Sequence, residues 1–313
     1  MNLYIHAGHD KTGSSYIQSA IACSIIKLKE RKIFYPANDK ILRARDGSIS
    51  SGNLEILYSS LDSHLRDADE CDSILISNEK LFRFMPDSQF DVVFSKFLDY
   101  FKISSVNILL FTREPLEHLQ SSYQQSVKRG GYIDTIDDFS STYFHTKKVA
   151  QFVKHCISRN YNLKIHNYTK CNDKILYKFE SWLGLPKETM NLPTLKLVNR
   201  SLTFGELEFQ RVMNKYFGKN ASILSNELCK NFPSIASDQF GLNPACQKAV
   251  MERVSPYCEF INNAISTFNN GSDTYDLGFA PFINAELKFN FTKDQIMLIG
   301  EVISKIKIIN DSK

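Results

Sequence analysis

The sequence predicts an α/β fold: a central parallel sheet of about five strands, flanked by helices in three layers, with a helical extension at the C-terminal end. Three observations lead there. Short apolar runs rich in β-formers alternate with segments of helical periodicity, the pattern of strands joined through crossover helices. The first such run leads into a glycine-bearing loop that opens a helix. The 313 residues, 43% hydrophobic and 23% charged, are enough for one large α/β core with an extension.

Taken in order, Leu3–Ala7 reads as the first strand and about Ser14–Glu30 as the helix after it. Lys32–Tyr35 reads as a short second strand stopped by Pro36, which cannot donate to a ladder. The polar stretch 39–52 carries little pattern and is expected to be a loop. A helix over about Asn53–Arg66 leads to a third strand, Ser73–Ser77, and one near Ser88–Phe101 leads to a fourth, Val106–Thr112. Pro115 suits the first turn of the next helix, where its missing donor costs nothing. That helix should reach about Lys128 and stop at Gly130–Gly131. After a polar loop come a helix over about Thr146–Arg159, a fifth strand at Leu163–Tyr168, and a helix near Lys174–Leu183 ended by Gly184 and Pro186. From about Pro193 onward the pattern is mostly helical, with a last helix over about Lys293–Ile309. There is no internal repeat and no low-complexity tract. The expectation is therefore a single domain, 1–313, with its core in about 1–190 and a mainly helical extension over about 191–313.

Charge and cysteine usage narrow the function classes. The net charge of +4 suits an anionic ligand but falls short of a nucleic-acid-binding signature, and no long single-sign block occurs. The seven cysteines (Cys23, Cys71, Cys156, Cys171, Cys229, Cys246 and Cys258) include no CxxC pair, so they read as reduced thiols rather than a zinc site or disulfide framework. The first residues, MNLYIHAGHDK, lack a basic start followed by a long apolar region. No apolar stretch approaches the ~20 residues of a membrane span. A soluble, cytoplasmic protein is expected.

The most informative segment is Gly8-His9-Asp10-Lys11-Thr12-Gly13-Ser14-Ser15. A loop between a strand and a helix gathers free backbone N–H groups and the positive end of the helix dipole, where anions bind. Gly8 and Gly13 have the separation found in the nucleotide-binding loop GxxxxGK[ST]. Ser14, however, stands where that loop carries lysine, and the lysine lies inside the loop at Lys11. An ATP-type loop needs the later position to reach the β- and γ-phosphates. A lysine within the loop is better placed for a single 5′-phosphate with a sulfuryl group beyond it.

HAGHDKTGSS resembles the 5′-phosphosulfate loop of sulfotransferases that use 3′-phosphoadenosine-5′-phosphosulfate (PAPS), especially bacterial and carbohydrate-acting types with a Lys-Thr-Gly-Ser/Thr-Ser/Thr core. The resemblance implies a P-loop-like fold. It also implies that Lys11 contacts the 5′-phosphate and bridging oxygen while Thr12, Gly13, Ser14 and Ser15 hold the phosphate. A second segment, FTREPLEHLQSSYQQ, resembles the family's R-D/N-P…S-x-Y pattern, with Glu114 in place of the commoner Asp or Asn. It implies that Arg113 and Ser121 bind the 3′-phosphate. Arg113 offers a planar fork suited to phosphate, and Ser121 lies off the apolar stripe of Leu116, Leu119, Tyr123 and Val127. By itself this pair reads as a structural arginine and a surface serine; following the first loop in chain order, it is more specific. The segment VNRSLTFGELEFQRVMNKY resembles an Asn-x-Ser-Leu start of a helix in bacterial members, implying that Asn199, Arg200 and Ser201 close over the nucleotide and that Arg200 contacts the 3′-phosphate. The resemblance covers about residues 1–215, with long intervals that show none.

Sulfuryl transfer needs a base for the acceptor proton. Glu79 follows the third strand, and the carboxyl ends of parallel strands face the ligand crevice. A glutamate at such a strand end is the base that the carbohydrate-acting members imply. His6, His9 and His118 compete: His6 as a core residue inside a strand, His9 as a shaper of the loop, His118 one turn into the helix that carries Ser121, facing solvent or acceptor. The expected activity is transfer of a sulfuryl group from PAPS to a hydroxyl or amine of a saccharide or glycolipid, releasing 3′-phosphoadenosine-5′-phosphate (PAP). No metal and no nucleic acid are expected to take part. A P-loop nucleotide kinase-like enzyme and a non-catalytic PAP-binding protein remain the other readings.

Overall fold

The structure is a computed structural model that describes residues 1–42, 52–58, 68–193, 200–238, 241–269, 273–277 and 289–311. The chain is α/β, with five parallel strands: β1 (Asn2–Ala7), β2 (Ile33–Phe34), β3 (Ser73–Asn78), β4 (Ser105–Thr112) and β5 (Asn162–Asn167), in the order β2-β3-β1-β4-β5. The helices Ser14–Cys23, Ile25–Glu30 and Ile175–Trp182 cover one face, where Ile17, Ile21, Leu28 and Phe179 pack with Leu75, Leu109 and Phe111. Successive strand residues point to opposite faces, and Ile74, Ile76, Ile108 and Leu110 are as fully buried as their neighbours. Burial on both faces explains the near-continuous apolar runs in the sequence.

Strand order fixes where chemistry can gather. β1 lies between β3 and β4, and the chain crosses over it between those two strands. Ligands of open parallel sheets bind at such a reversal, beyond the carboxyl ends of the strands. In register, Ala7 lies opposite Asn78, and the Gly8 N–H donates to the Asn78 carbonyl at 3.3 Å. The loops after β3, β1 and β4 therefore emerge side by side, carrying Glu79, Lys11 and Arg113.

The margins of the sheet are finished differently. β2 is two residues long, and beyond it Asn53 takes over: its carboxamide accepts from Ser77 N–H at 2.8 Å and donates to the Leu75 carbonyl at 3.0 Å. Gly52 beside it has φ +88°, and a Cβ there would lie 1.7 Å from the Ser77 carbonyl oxygen, so only glycine fits. At the other margin Asn269 bonds both backbone groups of Ile165, and Lys164 Nζ donates to the Phe268 carbonyl at 2.6 Å.

Several boundaries depart from the sequence reading. The helix expected over 14–30 is two helices, because Ser24 (φ −119°) turns its hydroxyl back to the Ala20 carbonyl at 2.7 Å and accepts from Asn191 N–H. The 39–52 loop holds a helical turn, Asp39–Leu42, and 43–51 fall outside the described residues. The helix expected over 53–66 is a 3₁₀ turn, Leu54–Leu57, within its described part; 59–67 fall outside. A short helix, Leu81–Phe84, follows Glu79, and another, Ile136–Ser141, lies in the stretch expected to be a polar loop, started by a Thr135/Asp138 capping box. The helices Pro115–Gly130 and His145–Ser158 stand within a residue or two of expectation.

The chain divides into two compact units: 1–114, 144–195 and 254–277 form the first, and 115–143, 196–253 and 278–313 the second. The first holds the whole sheet. The second is helical, with Pro115–Gly130, Phe204–Phe217, Ser222–Asn231 and Lys293–Asp311 burying two apolar clusters around Leu224, Leu228, Val302 and Ile306 and around Tyr123, Val127, Leu202 and Leu207. Among the described residues no helix is long and apolar enough to cross a membrane. All seven cysteines are free thiols.

Candidate functional site

The loop after β1 leads directly into a helix start that no side chain caps. Gly13 caps the helix Ser14–Cys23 in the left-handed region (φ +80°), and the first turn has neither a side-chain cap nor an acidic residue. The opening N–H groups of a helix are unsatisfied by the helix itself. A Cβ on Gly13 would come within 2.6 Å of Ile175 Cδ1 and 3.0 Å of the Tyr168 ring, so a side chain is excluded on steric grounds as well. Thr12 and Ser14 are buried and donate from their hydroxyls to the His9 carbonyl, at 2.6 and 3.4 Å. Those hydroxyls tighten the loop. Ser15 is exposed at the same helix start.

Lys11 has φ +65°, a conformation that costs a non-glycine residue about 1–2 kcal/mol. Such strain persists only where surrounding contacts enforce it, and it concentrates at ligand sites. Part of the enforcement comes from Arg113, whose Nη1 donates to the Lys11 carbonyl at 3.1 Å. The Arg113 guanidinium also lies over the Tyr168 ring, 5.6 Å from its centroid.

Glu79 packs against the same loop. A Cβ on Gly8 would lie 3.1 Å from Glu79 Cγ and 2.7 Å from Ser14 Oγ. Burial pushes the Glu79 carboxyl above its ordinary range; Asp10 pushes the same way, and Lys11 and Arg83 pull it down. A carboxylate with raised affinity for a proton, beside a lysine in an anion loop, is suited to accept one.

Next to Gly13 opens a cleft of about 1060 Å³ whose lining includes Tyr16, Tyr168, Lys174, Ile175, Leu176 and Tyr177. Tyrosine rings and aliphatic side chains beside the loop can sandwich a flat base while its phosphate meets the N–H groups. Sequence reasoning missed Tyr16 and Tyr168. The signal was the aromatic residue directly after Ser14-Ser15 and the one directly after β5.

The competing histidines are placed as follows. His6 is a buried core residue, as its position in a strand suggested, with Nδ1 at 2.9 Å from Ser77 Oγ and its ring against Phe111 and Phe179. His9 is buried in the loop with its ring on Phe82 (5.0 Å) and His145 (6.0 Å); burial, aided by His145, Arg83 and Arg113, depresses it to about 3, so it is neutral at physiological pH. His118, expected to face solvent or acceptor, is fully buried and shares hydrogen bonds with the Tyr143 and Ser122 hydroxyls at 3.1 and 3.4 Å.

Arg200 requires a correction. Its five N–H groups are all engaged: Nε with the Phe232 carbonyl, Nη1 with Ser201 O and Glu206 Oε2, and Nη2 with Glu206 Oε1 and Leu228 O. No donor remains for a phosphate, so the residue holds the second unit together. Glu206 also caps its own helix through Thr203 N–H and accepts from Gln295. Burial alone would raise the Glu206 carboxyl, but Arg200, Thr203 and Gln295 bring it below the ordinary range. Stability from this carboxylate is present above its unfolded-state value and is lost as pH falls through the folded one. Glu206→Gln leaves a buried guanidinium without its counter-charge and should cost about 3–5 kcal/mol, read as a lower denaturation midpoint of the full chain at pH 7. Asn199, grouped with Arg200 from the sequence, lies outside the described residues.

Lys11, Thr12, Gly13, Ser14, Glu79 and Arg113 are thus brought together in the first unit. Ser121 belongs to the second, half-buried on the helix Pro115–Gly130. Neither a protein-family model nor a curated protein matches the chain.

Proposed function

We propose that this chain is a sulfotransferase taking its sulfuryl group from PAPS. The observation that carries the reading is the packing of Glu79 against a loop whose lysine lies within it rather than at the helix start. The loop and Lys11 suit a 5′-phosphate bearing one further group, and the tyrosine-walled cleft suits its adenine. Arg113, beside the loop and over Tyr168, suits a second phosphate.

In this reading the acceptor oxygen attacks sulfur as the bond from sulfur to the bridging phosphate oxygen breaks. The electron pair of that bond leaves with PAP, and the acceptor proton passes to Glu79. Lys11 and the loop N–H groups stabilise charge growing on the departing oxygen, so positioning and electrostatics carry the rate. The acceptor we assign is a hydroxyl or amine of a saccharide or glycolipid, following the resemblance of the loop to carbohydrate-acting members.

Calorimetry with PAP against ATP and Mg²⁺, followed by an acceptor screen with ³⁵S-labelled donor, tests this. PAP binding with label transfer supports the sulfotransferase; PAP binding without transfer to any acceptor points to a binding protein; ATP binding without PAP binding points to a kinase-like enzyme. Tyr16→Ala and Tyr168→Ala should each weaken PAP by about 5- to 100-fold, the value of one base-stacking contact. Their affinity for ribose 5-phosphate, which has no base to stack, should stay at the wild-type level.

A further inference from the structure

Beside the site lies an ion pair that the reaction scheme does not use. Arg83 Nη2 is 2.6 Å from Asp10 Oδ2. Asp10 precedes Lys11 in the anion loop, and Arg83 is on the short helix Leu81–Phe84 that begins just after Glu79. The pair therefore links two loops that leave adjacent strands, β1 and β3. Lys11 and Glu79 are each within a few residues of one of its ends.

We propose that Asp10 and Arg83 are positioning residues for Glu79, their ion pair clamping its segment to the anion loop and their opposite charges setting the field at its carboxylate. This rests on Glu79 being the base.

The geometry supports both halves. The pair is partly exposed, with side-chain exposures of 55% for Arg83 and 33% for Asp10, so it contributes little to global stability and its effect is local. The charged groups that act on Glu79 are Asp10, Lys11 and Arg83. The nearby imidazoles add no charge at neutral pH, since burial first, then neighbouring charge, depresses His9 to about 3 and His145 to about 4. Asp10 favours the protonated carboxyl of Glu79, and Arg83 and Lys11 favour the carboxylate. The two ends of the pair act in opposite directions, so removing one unbalances them.

The test is ¹³C NMR titration of the Glu79 carboxyl in wild type, Asp10→Asn, Arg83→Gln and Arg83→Lys, with PAP affinity and turnover measured on the same samples. Asp10→Asn should move the Glu79 titration to lower pH and Arg83→Gln to higher pH, while Arg83→Lys keeps it at the wild-type position. Turnover should fall about 10- to 100-fold in the first two variants, in line with the cost of misplacing a reacting group by about 1 Å. Titrations that coincide in all four proteins, or that move in the same direction in Asp10→Asn and Arg83→Gln, overturn the proposal. The NMR arm needs no turnover, so the clamp and the sulfotransferase reading can fail separately: wild type that binds no PAP refutes the latter whatever the titrations show.

Discussion

Lys11→Ala should lower kcat by at least about 10²–10³-fold, the usual loss when one preorganised donor to a developing oxyanion is removed. In the proposed mechanism the lysine is required late, when the bridging oxygen takes up charge, so the PAP dissociation constant should change far less than kcat. Lys11→Gly separates the residue's two properties. Glycine adopts φ +65° without the penalty that lysine bears there, so this variant should melt at or above the wild-type temperature and still be inactive. Rates with ³⁵S-labelled donor and thermal denaturation of the same preparations check both halves. A Lys11→Gly protein with near-wild-type turnover would remove lysine from the mechanism.

The second large effect belongs to Glu79→Gln, which keeps shape and hydrogen bonding but accepts no proton. Turnover should drop by about 10²–10⁴-fold, the usual contribution of a positioned base. The pH profile gives a sharper readout. A base works only when ionised, so activity is lost as pH falls through the carboxyl's titration. Burial and Asp10 raise that titration above the ordinary glutamate range, which puts the acid limb of wild-type kcat/KM above where an exposed carboxylate would place it. In Glu79→Gln that limb should vanish from the residual rate. Its survival unchanged would assign the proton to another group.

The sheet was readable because its central strands are near-continuous apolar runs, close to a glycine, a proline or a polar loop; Ser73–Asn78 is buried at every position, whereas Asn162–Asn167 alternates. The strand–loop–helix junction after β1 was readable because Gly8, Lys11 and Gly13 are local in sequence. Contacts made by distant segments were not. Arg200 looked like a phosphate ligand because the carboxylate that occupies it, Glu206, was not read as its partner, although Thr203-x-x-Glu206 is a capping-box spelling that marks a helix start. Tyr16 and Tyr168 lie 152 positions apart and acquire meaning only once β5 is placed beside β4. The break at Ser24 depends on a partner, Asn191, from far along the chain, so periodicity alone ran the two helices together.

The finish of the two sheet margins bears on how the molecule behaves in company. A bare outer strand offers a ladder of idle amides and carbonyls that a foreign chain can join, and this is a common route to fibrils. Here one border strand is too short to template anything, and on the other a carboxamide from Asn269 takes up the amide and carbonyl of Ile165. Both features disfavour self-association by strand annexation.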